Sequence, residues 1–314
     1  MITIREIIKA RERINDFVHE TPILRSSRIN KICGCNIFFK CENLQRTGSF
    51  KFRGAVNAVG MLLPEKFEKG VVTHSSGNFA QALALSAKLF NIPAYIVMPE
   101  NSSKVKIDAV REYGGKISFC TSNLVSRETK CNELIVQTGA EFIHPYNDYR
   151  IIAGQGTCAY EFLNQNREFT DVIIAPVGGG GLLSGTALAT KSILNRIKVI
   201  GAEPERADDA FRSFHSGYII PQTNPQTIAD GLLTSLGDKT FDMIKEYVDD
   251  IALCTEAQII FAMQLIFENL KLVVEPSGAV PLAVIINNPK LFDNKNVGII
   301  LSGGNVDITQ FKWK

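Results

Sequence analysis

The sequence predicts an α/β protein with two open, twisted, mostly parallel sheets. Three observations point there. Short apolar runs alternate with segments of helical spacing along most of the chain, the pattern of parallel β-α-β units. Several runs, such as 171–176 and 297–301, read as buried strands. Loops of small or polar residues recur at strand ends: Gly48-Ser49-Phe50-Lys51, Ser75-Ser76-Gly77-Asn78, Gly178-Gly179-Gly180-Gly181 and Ser302-Gly303-Gly304-Asn305. Ligands of open parallel sheets bind beyond the carboxyl ends of the strands, so these loops predict one shared ligand.

In chain order, residues 3–18 have helical spacing (Ile4, Ile7, Ile8, Ile14, Phe17, Val18) and stop at Thr21-Pro22. A strand over 36–40 precedes a helix over 51–63, which Pro64 ends. Strands are expected at 71–73, 94–98, 116–120 and 141–143, with helices at 79–90, 103–113 and 124–138 between them. This rhythm marks a small α/β domain over 66–148, inserted in a large domain made of 1–65 and 149–314. The length of 314 residues suits two domains. Further helices are read at 151–164, where Gly154 and Gly156 allow close packing, at 182–194, 255–270 and 277–286. Strands follow at 171–176, 198–203 and 297–301. Residues 204–237, with Pro204, Pro221, Pro225, Gly231 and Gly237, look irregular and too long for a passive loop, which predicts a functional segment.

Composition narrows the class. Hydrophobic residues make up 45% and charged residues 21%, the balance of a globular enzyme, and a net charge of +2 predicts no nucleic-acid and no membrane partner. The opening Met1–Glu6 is charged early and lacks an apolar core, so no secretion signal is expected. Seven cysteines in such a chain read as reduced thiols, which predicts a cytoplasmic location. Cys33, Cys35 and Cys41 lack metal-site spacing and read as buried structural thiols. His19, His74, His144 and His215 make no ligand set, and Trp313 reads as a local anchor.

Two loops carry the chemistry. Lys51 opens a helical pattern between two phenylalanines. Desolvation and the positive end of a helix dipole both disfavour its charged form and free a nucleophilic amine. Taken alone, the position also suits a solvated lysine. The four glycines follow a strand and precede a helix, and their backbone N–H groups could cradle a phosphate. A flexible turn is the alternative, at a high cost in folding entropy. The spacing matches neither the dinucleotide fingerprint nor the P-loop. A phosphate cradle with a nucleophilic lysine suggests pyridoxal phosphate (PLP).

The stretches ENLQRTGSFKFRGA, THSSGNFAQALALSAK, IAGQGT, PVGGGGLLSG, EPERADDA, TIADGL, KLVVEPSGA and LSGGN lie in this order between Thr21 and Asn305. Together they resemble the fold-type II (tryptophan synthase β-like) PLP enzymes, among them the serine racemases and the serine/threonine dehydratases. The resemblance implies two α/β domains with the cofactor in the cleft between them. By it, Lys51 holds PLP covalently, Phe50 and Gly231 flank its ring, and Asn78 bonds the ring hydroxyl. Gly178, Gly179, Gly180 and Gly181 cradle the phosphate, and Ser302 faces the pyridine nitrogen. Ser75, Ser76 and Gly77 receive the substrate carboxylate, with Phe79, Arg127 and Thr234 as further substrate contacts. Glu203, Ala207 and Asp209 resemble the racemases' divalent-cation site, where hard oxygen ligands suit Mg²⁺ or Ca²⁺; a solvated acidic loop is the alternative.

The resemblance also implies the reaction. Lys51 and Ser76 would be the two catalytic residues, one on each face of the substrate. Racemases carry a serine where this chain has Ser76, whereas threonine dehydratases usually carry alanine. A serine racemase that also eliminates water is therefore expected, with an ammonia-lyase acting on threonine, serine or 3-hydroxyaspartate as the alternative. Ser76 could instead only brace its turn. Phe79 replaces a usual histidine, and Tyr146 leans towards the lyases. Family members are usually homodimers, some with a nucleotide effector at the interface.

Overall fold

The computed structural model describes residues 1–102, 104–166 and 170–307. Ten strands form its two sheets: β1 (Ile23–Leu24), β2 (Asn36–Lys40), β3 (Val71–His74), β4 (Ala94–Pro99), β5 (Lys116–Cys120), β6 (Glu141–Phe142), β7 (Val172–Pro176), β8 (Lys198–Pro204), β9 (Asp250–Cys254) and β10 (Asn296–Ile300). The larger sheet runs β1-β2-β10-β7-β8-β9 and the smaller β5-β4-β3-β6. Every pairing is parallel except that of β1 with β2. The predicted α/β class with two mostly parallel sheets is what the chain adopts.

Strand order places the loops. β10, last in sequence, lies between β2 and β7, with Ile300 beside Lys40. The loop after β10 therefore emerges between the stretch leading to Lys51 and the tetraglycine that follows β7. In the smaller sheet the interior strand β3 ends at the Ser75–Asn78 turn.

Helix Lys51–Val59 stands between the sheets. Phe52, Ala55, Val56, Ala58 and Val59 share a core with Phe79, Leu83, Ile96 and Ile143 beside the smaller sheet. Its other side meets helix Tyr149–Asn166 so closely that a Cβ on Gly154 would sit 2.6 Å from the Gly54 Cα. The expected close packing at Gly154 is thus real.

Some expectations are corrected. The first helix runs Ile4–Ile14, shorter than 3–18. The helix at Lys51 ends at Val59, because Gly60 and a turn intervene before Pro64, which starts the short helix Pro64–Phe67 rather than stopping the longer one. Residues 204–237 are not wholly irregular: they hold helix Asp209–Ser216 and two 3-10 turns, Glu205–Ala207 and Asp230–Leu232. Helices Ser27–Cys33 and Asp238–Tyr247 and strand β9 are additional. Each is short and bounded by turn residues, so its periodicity barely repeats before it ends. All seven cysteines are buried and unpaired. Ser103 and Trp313 lie outside the described residues. No helix among the described residues is long and apolar enough to cross a membrane.

A charged cluster is buried behind Lys51. The Arg53 guanidinium donates to both oxygens of Glu42, at 2.7 and 2.8 Å, and to both of Glu161, at 3.0 and 3.1 Å. Lys40 Nζ donates to Glu161 Oε1 at 2.6 Å and to the Thr21 carbonyl at 2.7 Å. Lys40, Glu42 and Arg53 are fully buried and Glu161 nearly so. Burial alone would raise the Glu161 pKa, but the Arg53 and Lys40 charges hold it below the usual carboxylate range. Two cations against two anions leave no net buried charge. Removing Arg53 would leave one carboxylate in excess, with Glu42 stripped of its cation, so Arg53→Met should destabilise the protein by about 3–5 kcal/mol in urea unfolding, whereas the exposed pair of Lys130 with Glu133 should contribute less than about 1 kcal/mol.

Candidate active site

The stretch leading to Lys51 is laced to the loop after β10. Phe50 N–H donates to the Ser302 carbonyl at 3.0 Å, and Gly304 N–H to the Gly48 carbonyl at 2.9 Å. Ser49 and Gly303 form an isolated bridge. Ser302 is buried, and the buried Ser49 hydroxyl has no partner among the described residues.

Lys51 is half-buried at the start of its helix. Its Nζ donates to the Pro145 carbonyl at 3.2 Å and lies 5.1 Å from the Phe50 ring centre and 5.9 Å from that of Phe79. Desolvation lowers its pKa to about 8, against a smaller opposing pull from Glu275. A fraction of the amine is therefore neutral at neutral pH, as a nucleophile requires.

The turn after β3 faces this lysine's surroundings. Ser75, Ser76 and Gly77 are partly exposed, and Gly77 N–H donates to Ser75 Oγ at 3.3 Å. Asn78 begins helix Asn78–Leu89, and its orientation is fixed from two sides. Its Oδ1 accepts from Asn305 Nδ2 at 2.9 Å, while its Nδ2 donates to the Glu275 carboxylate at 2.8 and 3.0 Å. Glu275 was not among the expected site residues. It is buried, and desolvation pushes its pKa up to about 7 despite the Asn78 bond and the nearby Lys106 and Lys51 charges. Its signal in the sequence was a glutamate directly before Pro276 at a helix start, which reads equally well as an ordinary first-turn acid.

The tetraglycine is built as a cradle. Gly178 to Gly181 are all buried, and helix Gly181–Ile193 begins there with no side-chain cap. The first turn of a helix leaves its N–H groups open, and a buried, uncapped start suits an anion. Gly180 has φ +88°, a conformation other residues adopt only with strain. A Cβ on Gly179 would strike the Tyr146 ring, and one on Gly178 would sit 2.9 Å from the Leu232 Cα. Gly231 lies next to Leu232, its N–H donating to Ser277 Oγ at 3.0 Å.

A family model described as "pyridoxal-phosphate dependent enzyme" matches residues 14–303. The chain belongs to that family. This PLP-family chain is 51% identical to a serine racemase of Arabidopsis thaliana, over 97% of its length and 93% of the relative's. It is 48% identical to a β-hydroxyaspartate dehydratase of Paracoccus denitrificans, over 99% and 98%. The crystal structure of serine racemase from Dictyostelium discoideum superposes with a TM-score of 0.93 at 48% identity, covering 98% of this chain and 99% of that one.

The residues present fit the cofactor. The chain offers a lysine of lowered pKa, an uncapped glycine-rich helix start and an oriented amide, and Lys51, Asn78 and the glycines could hold the cofactor's aldehyde, hydroxyl and phosphate groups. Phe79 is buried, so its apolar ring lines the lysine's wall rather than the solvent. Arg127, on helix Leu124–Thr138, has a buried Nε without a partner among the described residues, and its charge, after burial, helps keep His74 neutral. Thr234 is exposed and hydrogen-bonds Tyr146.

The two acidic residues expected at a cation site are both buried. Glu203, at the end of β8, accepts from the N–H groups of Ala210 and Phe211 at 3.0 and 2.8 Å. Asp209 Oδ2 accepts from Leu236 N–H at 3.3 Å, while its Oδ1 has no partner among the described residues. Burial, then Asp209, raises the Glu203 pKa well above the ordinary value, and burial pushes Asp209 to about 7. Ala207 lies buried in the turn between them. No group of three or more His, Cys, Asp or Glu side chains gathers among the described residues, so any cation here would rely on two carboxylates, a carbonyl and waters.

The Lys51 environment sets a pH dependence. Only the neutral amine condenses with an aldehyde, so capture of PLP by the apoprotein should accelerate with rising pH, with a midpoint near 8. Stopped-flow absorbance across pH 6–10 measures this; a midpoint above 10 would mean a solvated lysine.

Proposed function

We propose that the protein is a PLP-dependent serine racemase that also eliminates water from serine to give pyruvate and ammonia. The observation that carries this reading is a serine, Ser76, in the turn that ends β3, together with a lysine of depressed basicity, Lys51, on the helix beside it. PLP bound through Lys51 supplies an electron-withdrawing ring that acidifies the substrate Cα–H. The chain's own groups do the rest. The freed Lys51 amine takes the Cα proton on one side, and the Ser76 hydroxyl gives or takes one on the other. Ser75 and Gly77 receive the substrate carboxylate, Asn78 orients the ring, and Ser302 faces the pyridine nitrogen with a neutral group. That leaves the ring a mild electron sink, which favours loss of the β-hydroxyl alongside racemisation.

Lys51→Ala should abolish turnover. Ser76→Ala should lower D-serine formation from L-serine by about 10²-fold or more, the usual worth of a general acid–base group, while keeping much of the elimination. Chiral chromatography with keto-acid detection reads both; parallel loss of the two activities would refute the two-sided scheme.

A second reading has its own support. The Arg127 Nε, without a partner among the described residues, and the Lys106 ammonium, which pairs with Asp230 and lies 3.9 Å from a Cβ placed on Gly77, are cations that a second substrate carboxylate could meet. This favours 3-hydroxyaspartate as a substrate for elimination, in keeping with the dehydratase relative. The same assay run with L-serine, D-serine, L-threonine and 3-hydroxyaspartate separates the two.

We also propose that Glu203, the Ala207 carbonyl and Asp209 hold Mg²⁺ or Ca²⁺ in a structural role. Without a cation, carboxyls whose folded pKa is raised contribute stability below about pH 4 and lose it as pH rises through 7. The cation should therefore raise the melting temperature by about 2–5 °C at pH 8 and by little at pH 5. An equal shift at both pH values, or none, would argue against the site.

A further inference from the structure

The return from the smaller sheet to helix Tyr149–Asn166 passes through His144, Pro145, Tyr146, Asn147 and Asp148. This short turn touches Lys51, the tetraglycine and helix Asp238–Tyr247. The Pro145 carbonyl accepts from Lys51 Nζ at 3.2 Å. The Tyr146 ring covers Gly179, and its carbonyl lies 3.2 Å from where a Gly181 Cβ would be. Asn147 Oδ1 accepts from Lys239 N–H at 3.0 Å, and its Nδ2 donates to Asp238 at 2.7 Å. One atom gathers the turn: His144 Nδ1 accepts from the backbone N–H of Tyr146 at 3.3 Å and of Asn147 at 2.9 Å.

We propose that His144 is a positioning residue, whose Nδ1 folds the 145–147 turn and so sets both the carbonyl against the Lys51 amine and the ring against the phosphate cradle. Two backbone donors converge on Nδ1, so that nitrogen carries no proton; the ring is the neutral tautomer with hydrogen on Nε2. Its surroundings agree. The imidazole packs edge-on to Tyr146 at 4.5 Å and to Phe142 at 6.0 Å, with His74 at 6.1 Å. Burial, then the His74 and Lys51 charges, push its pKa down to about 4, with Asp148 opposing and Lys239 adding slightly. A neutral acceptor is thereby held in place across the pH range in which Lys51 titrates. Most side chains lack an acceptor at this reach. Asn has one, since its Oδ1 is as many bonds from the backbone as His Nδ1, whereas Gln carries its amide one carbon further out.

The inference rests on membership of the PLP family and not on which amino acid is turned over, so its test needs no substrate. Apoprotein of wild type, His144→Asn, His144→Gln and His144→Ala is titrated with PLP and followed by absorbance, with thermal unfolding of each apoprotein as the check on folding. The Ala and Gln variants should bind PLP about tenfold more weakly, the worth of one or two lost backbone hydrogen bonds, while the Asn variant stays within about twofold of wild type. If Ala fails to fold, the Asn-against-Gln contrast decides alone. Wild-type PLP affinity in the Gln or Ala variant, or an Asn variant as weak as Gln, would overturn the assignment.

Discussion

The structure depends on a buried exchange of charge. Arg53 sits two residues after Lys51, and its guanidinium is clamped by Glu42 on one side and Glu161 on the other, with Lys40 balancing the second carboxylate. Glu42 follows β2, Arg53 belongs to the helix that carries Lys51, and Glu161 lies on helix Tyr149–Asn166. Ion pairs this deep contribute little net stability against an apolar core of the same shape, yet they are unforgiving of misplacement because each member is costly without its partners. Such a cluster fixes the direction of the Lys51 helix better than apolar contacts alone, which tolerate sliding. The same helix shares its core with helix Asn78–Leu89, so its direction also bears on where the Ser75–Asn78 turn stands.

From that anchored helix the remaining parts follow by strand order. β10 between β2 and β7 brings the last motif of the sequence into the middle of the site, where the Ser302 and Phe50 backbones bond and Asn305 reaches Asn78. Asn78 in turn leans on Glu275. Two acidic centres in this molecule thus have pKa values raised by burial yet differ in surroundings. Glu275 has Lys51 and Lys106 near it and serves an amide donor. Glu203 lies near Asp209, which has Arg212 near it and a buried Oδ1 without a partner among the described residues.

Much of this was legible in the sequence, for reasons of scale. Alternating strands and helices, the loops at strand ends and the lysine before a helix are local patterns, written in consecutive residues. The two sheets, the helix at Lys51 and the tetraglycine loop before a helix accordingly stand where periodicity and turn chemistry put them. What stayed hidden is long-range or brief. Strand β9 is too short, and helix Asp209–Ser216 too short and too closely bounded by Pro204 and Gly217, for a period to establish itself. Glu275 and His144 carry no pattern of their own. The first acquires its role 197 residues away from Asn78, and the second through a bond from its ring to the backbone of the residues that follow.

The arrangement bears on the proposed division of labour between Lys51 and Ser76. Two groups that attend opposite sides of one carbon cannot both come from a single strand-end loop, because such a loop presents its residues to one side of a ligand. Here they come from different bodies: Lys51 from the helix held by the charge cluster, and Ser76 from the turn after β3 of the smaller sheet. Lys51 is held on its helix and by the Pro145 carbonyl, while Ser76 sits partly exposed on a short turn braced by Gly77 N–H to Ser75 Oγ and tied to β4 by Ser75 N–H to the Val97 carbonyl at 3.0 Å. On the proposed reading, elimination draws on Lys51 as base and racemisation on Ser76 as well, so racemisation is the activity more sensitive to the packing of the smaller sheet.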